Sequence, residues 1–155
     1  GPSFAVRRSA FEGMRFNEQL GPQSGSYAMG GEGDFLRRLA AKGHRYIYVP
    51  QARVAHVVRP EQTESAWLLS RAYKKGRGQV YLPSNRRPAR LVVLGVPIKL
   101  MVATIRSALR YRLGVLGRAK TDRAQIERGI KYYFRLGQVH ELRARRTLES
   151  SSDKR

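Results

Sequence analysis

The sequence predicts an α/β first portion followed by a mostly helical extension, and three observations carry that expectation. Over the first sixty residues, short β-branched and aromatic runs alternate with segments of helical period. After Pro60 the strand-like runs give way to long segments of helical spacing. The charge divides near the same place: residues 1–70 hold nine Lys/Arg and six acidic residues, against twenty-two and five in residues 71–155. The 155 residues suit one modest domain, and a hydrophobic content of 41% is too high for a wholly disordered basic tail, even at a formal net charge of +20. The absence of cysteine excludes a disulfide framework, Cys-ligated zinc, iron–sulfur clusters and a thiol nucleophile, and fits a reducing compartment. No apolar run follows a basic start, so no signal peptide is expected.

Phe4-Ala5-Val6 is short and apolar enough for a buried strand, and Ser9 suits the N-cap of a short helix holding Phe11 and Met14. Five of the thirteen residues from Gly21 to Gly33 are glycine, which reads as a loop that turns tightly or approaches a ligand closely. Glu32 to Lys42 takes helical spacing, with Phe35, Leu36 and Leu39 on one face and Gly43 placed to stop it. Tyr46-Ile47-Tyr48-Val49 and Val54-Ala55-His56-Val57-Val58 read as two strands, ended by Pro50 and Pro60.

The extension begins with a helix from about Thr63 to Lys75, closed by Gly76, and a basic linker from Arg77 to Arg90. Leu91 to Leu116 carries apolar stretches of eight and six residues separated by Lys99, too short for a membrane-spanning helix of roughly twenty. A helix starting near Pro97 instead aligns Lys99, Arg106 and Arg110 along one line, with Ile98, Met101, Val102, Ile105 and Leu109 in the opposing sector. A last helix is expected from Asp122 to about Arg146, and residues 150–155 as a disordered tail.

Two acids stand where the glycine loop meets the first long helix. In helical phasing Glu32 lies over Leu36 and points toward the apolar side, whereas Asp34 lies over Arg37 and Arg38 and points outward. Glu32 is thus the better candidate for a general base, while ordinary helix N-terminal acids remain the alternative. His56, inside an apolar run, is either a hydrogen-bonded core histidine or a metal ligand facing a cleft. No HExxH, phosphate-binding Gly-Lys-Ser/Thr loop or Asp-x-Asp pair occurs. Between Arg71 and Thr121 there is no acid at all, so that stretch should attract an anionic partner. Mixed runs such as Tyr73-Lys74-Lys75 and Lys131-Tyr132-Tyr133-Phe134-Arg135 keep a non-enzymatic nucleic-acid-binding module open as the alternative.

Gly1 to Phe11, Arg15 to Gly21, Gly30 to Leu39, Gly43, Tyr48-Val49-Pro50 and His56 form a series of landmarks in order and at similar spacing. Over these first sixty residues the chain resembles the second half of the catalytic domain of family 2 glycosyltransferases. The resemblance implies a partial GT-A, Rossmann-like half-domain over 1–60, holding the acceptor side, and a basic amphipathic helical extension over 61–149. It implies an inverting transfer of sugar from a nucleotide-sugar donor to an acceptor hydroxyl, and a divalent metal, Mg or Mn, for the complete domain. It places Gly30 and Gly31 against substrate, and Glu32 or Asp34 as catalytic carboxylates, with Glu32 at the base position in the ungapped register. His56 matches a histidine that approaches the metal and diphosphate. The expected partners are donor, acceptor and an anionic membrane surface touched by Lys99, Arg106 and Arg110. The expected location is cytoplasmic, peripheral on the inner face of the membrane.

Overall fold

The computed structural model describes residues 3–23, 26–82, 91–116 and 123–152. Its first portion holds a 3-10 turn at Arg8–Ala10, a hairpin of β1 (Gly21–Gln23) with β2 (Ser26–Ala28), and α1 (Gly31–Ala41). A second 3-10 turn at Pro60–Thr63 leads into α2 (Ser65–Gln79). The remainder is a two-residue-per-strand hairpin, β3 (Val92–Val93) with β4 (Val96–Pro97), followed by α3 (Ile98–Leu116) and α4 (Arg123–Ser152).

The α/β, Rossmann-like expectation is overturned. The chain is 60% helix and 6% strand, and its described strands form two separate antiparallel pairs. The decisive difference lies at 46–49 and 54–58, which take no regular secondary structure and join no sheet. β-branched and aromatic residues favour an extended backbone there, but a strand also needs a neighbour to complete its N–H and C=O ladder. No described segment supplies one, so Ile47 is 85% exposed and Tyr48 87% exposed. Phe4-Ala5-Val6 is likewise unpaired, and the helix expected after Ser9 is only the Arg8–Ala10 turn. Part of the glycine-rich loop is the β1–β2 hairpin.

The first portion is organised around Phe35, which is buried with Leu39 on α1. Phe16 stacks on Phe35 at 4.4 Å between ring centroids, and Phe11 meets it edge-on at 6.3 Å. Gly43, at φ +90°, follows α1 in a conformation glycine adopts without strain and terminates the helix where the sequence places the stop. The Met29 N–H donates to the Lys74 carbonyl at 3.0 Å, tying the end of β2 to α2.

Helices α2, α3 and α4 make the larger packed unit. Gly76 does not end α2; the helix continues to Gln79 because glycine is needed inside it. A Cβ on Gly76 would lie 2.8 Å from the carbonyl carbon of Phe134, and one on Gly137 would lie 3.0 Å from the backbone N of Arg77. The two helices therefore cross with their backbones nearly touching, a geometry that only hydrogen atoms at these positions permit. The Arg77 guanidinium pairs with buried Glu141 at 2.6 Å across this crossing, and the Tyr81 hydroxyl donates to the same carboxylate. α3 starts directly after Pro97 and α4 at Arg123, close to the expected boundaries, but α4 runs on to Ser152, past the expected start of the tail. Part of the expected basic linker, 83–90, and the last residues of the tail, 153–155, lie outside the described residues.

Candidate functional site

The glycine loop delivers the chain to α1 through Gly30, whose φ of +130° is a conformation that a side chain would strain. Gly31 opens the helix beside Leu20, with room at ordinary van der Waals distance for a Cβ. The phasing expected of the two acids is reversed. Asp34 is buried, and its carboxylate accepts from the Arg38 guanidinium at 2.9 Å, while Glu32 is exposed. Arg38 also donates to the Arg15 carbonyl at 2.8 Å, so Asp34 helps hold the preceding segment against α1. The reversal follows from Leu36, which is only half-buried: the packed face is centred on Phe35 and Leu39 and turned toward Asp34. Glu32 stands in the first turn of α1.

His56 is exposed within the 54–58 segment, so it is not the buried core histidine that one of its two readings expected. Among the described residues no three His, Asp or Glu side chains gather to hold a metal ion, and an exposed His56 offers one ligand at most. These residues do not make a metal site, and no step below is routed through one.

A different surface is fully assembled on α3. One face, including Ser107 and Tyr111, packs on α4: the Ser107 hydroxyl accepts from Arg135, and the Tyr111 carbonyl accepts from Gln125 at 3.0 Å. A second line carries Lys99, Arg106 and Arg110, all exposed as the sequence phasing places them. The third face is apolar and points away from the protein: Val102 is 42%, Ile105 58%, Leu109 56% and Leu113 66% exposed. Leu91 to Leu94, at the β3–β4 hairpin, add four more exposed apolar side chains in the same extension. No described helix is long and apolar enough to cross a membrane.

Between α3 and α4 lies a cavity of about 420 Å³, lined by Lys99, Arg106, Arg110 and Arg135 together with Val102 and Ser107. Ser107 is buried and also donates to the Ala103 carbonyl at 2.7 Å, which fixes the oxygen that receives the Arg135 guanidinium. Sequence reasoning found three of the four cations by their shared helical line. It missed Arg135, which belongs to another helix and is brought in only by tertiary packing. Comparisons with protein-family models, curated proteins and solved structures give no match for this chain.

Proposed function

We propose that this chain forms the acceptor side of an inverting glycosyltransferase and is held against an anionic membrane face by α3. The observation that carries the membrane reading is the three-faced α3, whose apolar stripe turns outward beside the line of Lys99, Arg106 and Arg110. Apolar side chains at this spacing enter the acyl boundary while neighbouring cations meet lipid phosphates, the physics of a helix lying in the interface plane. The cytoplasmic leaflet, with its negative surface potential, is the natural partner for a chain of net charge +20.

The transferase reading rests on the ordered landmarks of residues 1–60, with the nucleotide-sugar donor and any metal supplied by residues other than the described ones. Of the two acids near Gly30, Glu32 is the one the ungapped register of the resemblance puts at the base position, and it is exposed in the first turn of α1, whereas Asp34 is buried against Arg38. A general base acts by removing the acceptor proton as its oxygen attacks the anomeric carbon of the sugar and the nucleoside diphosphate leaves from the opposite side. In a polypeptide that also supplies the donor site, Glu32→Gln should abolish sugar transfer without unfolding the protein; near-normal turnover would remove Glu32 as the base.

The membrane reading is tested with the chain itself. Sedimentation with vesicles containing anionic lipid should be strong, should fall as salt rises and should be weak with neutral vesicles. Equal partition onto neutral vesicles would refute it. Preference for RNA or DNA over anionic vesicles at physiological salt would instead favour a basic nucleic-acid-binding module, for which the outward apolar stripe has no use.

A further inference from the structure

We propose that the groove between α3 and α4 is a specific binding site for the phosphomonoester head of an anionic lipid, with Arg135 as its fixed ligand and Lys99, Arg106 and Arg110 as its rim. The proposal rests on the membrane reading for its lipid source, but the groove stands on its own geometry. Four cationic side chains line one cavity of about 420 Å³, and no carboxylate is among its described lining residues. Such a cluster would repel itself in the absence of an anion. Arg135 is half-buried and its guanidinium donates to the Ser107 hydroxyl, whose own proton goes to the Ala103 carbonyl. That chain orients a planar group with five N–H donors, of which the bond to Ser107 uses one.

The chemistry of the ligand follows from the walls. A guanidinium held in one orientation matches two oxygens of a phosphate, which a loosely held ammonium does not do as selectively. A phosphomonoester carries close to two negative charges near neutral pH and presents three oxygens, against one charge and two free oxygens on a diester, so four converging cations discriminate between them. Val102 belongs both to the groove lining and to the exposed apolar stripe. A phosphate seated against Arg135 would thus leave its acyl chains beside Val102, Ile105 and Leu109, continuous with the surface that enters the bilayer.

The test uses the whole chain with phosphatidylcholine vesicles carrying either phosphatidic acid or phosphatidylglycerol at matched surface charge. It also uses a short-chain, water-soluble phosphatidic acid and inorganic phosphate. The wild type should bind the soluble lipid saturably and prefer phosphatidic acid vesicles several-fold. Arg135→Gln should weaken binding of the soluble lipid about tenfold and erase that preference while leaving salt-sensitive partition onto phosphatidylglycerol. Arg110→Gln, at an exposed position that holds no other element in place, should act the same way if Arg135→Gln fails to fold. Ile105→Glu with Leu109→Glu should lose the vesicles yet keep the soluble lipid. Binding of the soluble lipid without vesicle binding by the wild type supports the groove and overturns the membrane reading. Vesicle binding with no saturable binding of the soluble lipid overturns the groove alone. An equal loss on both vesicle types in the groove variants reduces the cluster to diffuse charge, and inorganic phosphate binding as tightly as the lipid overturns the lipid assignment.

Discussion

Replacing Gly76 with alanine adds one methyl group to the middle of α2, and ordinary helix propensity makes that change favourable by about 1 kcal/mol. The crossing with α4 reverses the sign. The new Cβ would stand 2.8 Å from the Phe134 carbonyl carbon and 3.1 Å from its Cα, where ordinary contact begins at 3.4 Å, and its closest neighbour, the Phe134 carbonyl oxygen, is nearer still. These are backbone atoms, so relief requires the helices to part by roughly 1 Å, loosening the Arg77–Glu141 pair that spans them. Overpacking of this kind costs about 3 kcal/mol, leaving a net destabilisation of about 2 kcal/mol after the propensity gain. For a domain of this size that lowers Tm by roughly 6 °C in a melt followed by circular dichroism at 222 nm. Gly33→Ala is the internal control, because its Cβ would meet only the tip of Arg37 at 3.7 Å inside α1. The same chemical change there should raise stability by about 0.5 kcal/mol. A Gly76→Ala protein melting at or above the wild-type temperature would refute the close-crossing argument.

Two further outcomes follow from the lock across the same crossing. Glu141→Ala leaves the Arg77 side chain, 15% exposed, without its carboxylate and should cost about 3 kcal/mol in urea unfolding; a loss under about 1 kcal/mol would mean the pair contributes little. The Tyr81 phenol is pushed up to about 12 by burial and by its hydrogen bond to Glu141, so its folded-state value lies above the unfolded value of 10.0. Its contribution is therefore fully present below pH 10 and is lost as pH rises toward 12, by about 1 kcal/mol once solvent screening is allowed for. Tyr81→Phe should flatten that alkaline decline, and an unchanged slope between pH 9 and about 12 would count against the assignment.

Two helix ends were legible in this sequence, because they depend on local chemistry. Gly43 stops α1 through its own backbone freedom, and α3 begins directly after Pro97. The exposed line of Lys99, Arg106 and Arg110 was legible for the same reason: helical period fixes which side chains share a side. What failed depended on neighbours. Tyr46-Ile47-Tyr48-Val49 and Val54 to Val58 have the composition of strands, but pairing is a property of two segments and composition describes one. Gly76 has two readings, a helix stop or a close approach, and only the position of Phe134 decides between them. The phasing of Glu32 and Asp34 turned on giving Leu36 the same weight as Phe35 and Leu39, when tertiary burial falls on the last two. Arg135 could not be assigned to the groove from spacing, since its partner Ser107 is 28 positions away.

The two bare arms at 46–49 and 54–58 also govern how the chain behaves in a test tube. Exposed runs rich in valine, isoleucine and tyrosine, with no strand partner, invite β-joining of one molecule to the next, the first step of amorphous or fibrillar deposits. Against this stands mutual repulsion from the surplus of arginine and lysine, which reaches about 10 Å at 0.1 M ionic strength and about 3 Å at 1 M. Concentrated salt, the usual means of stripping adherent polyanions from a basic preparation, should here cloud the solution, and dilution should clear it only while the deposits are young.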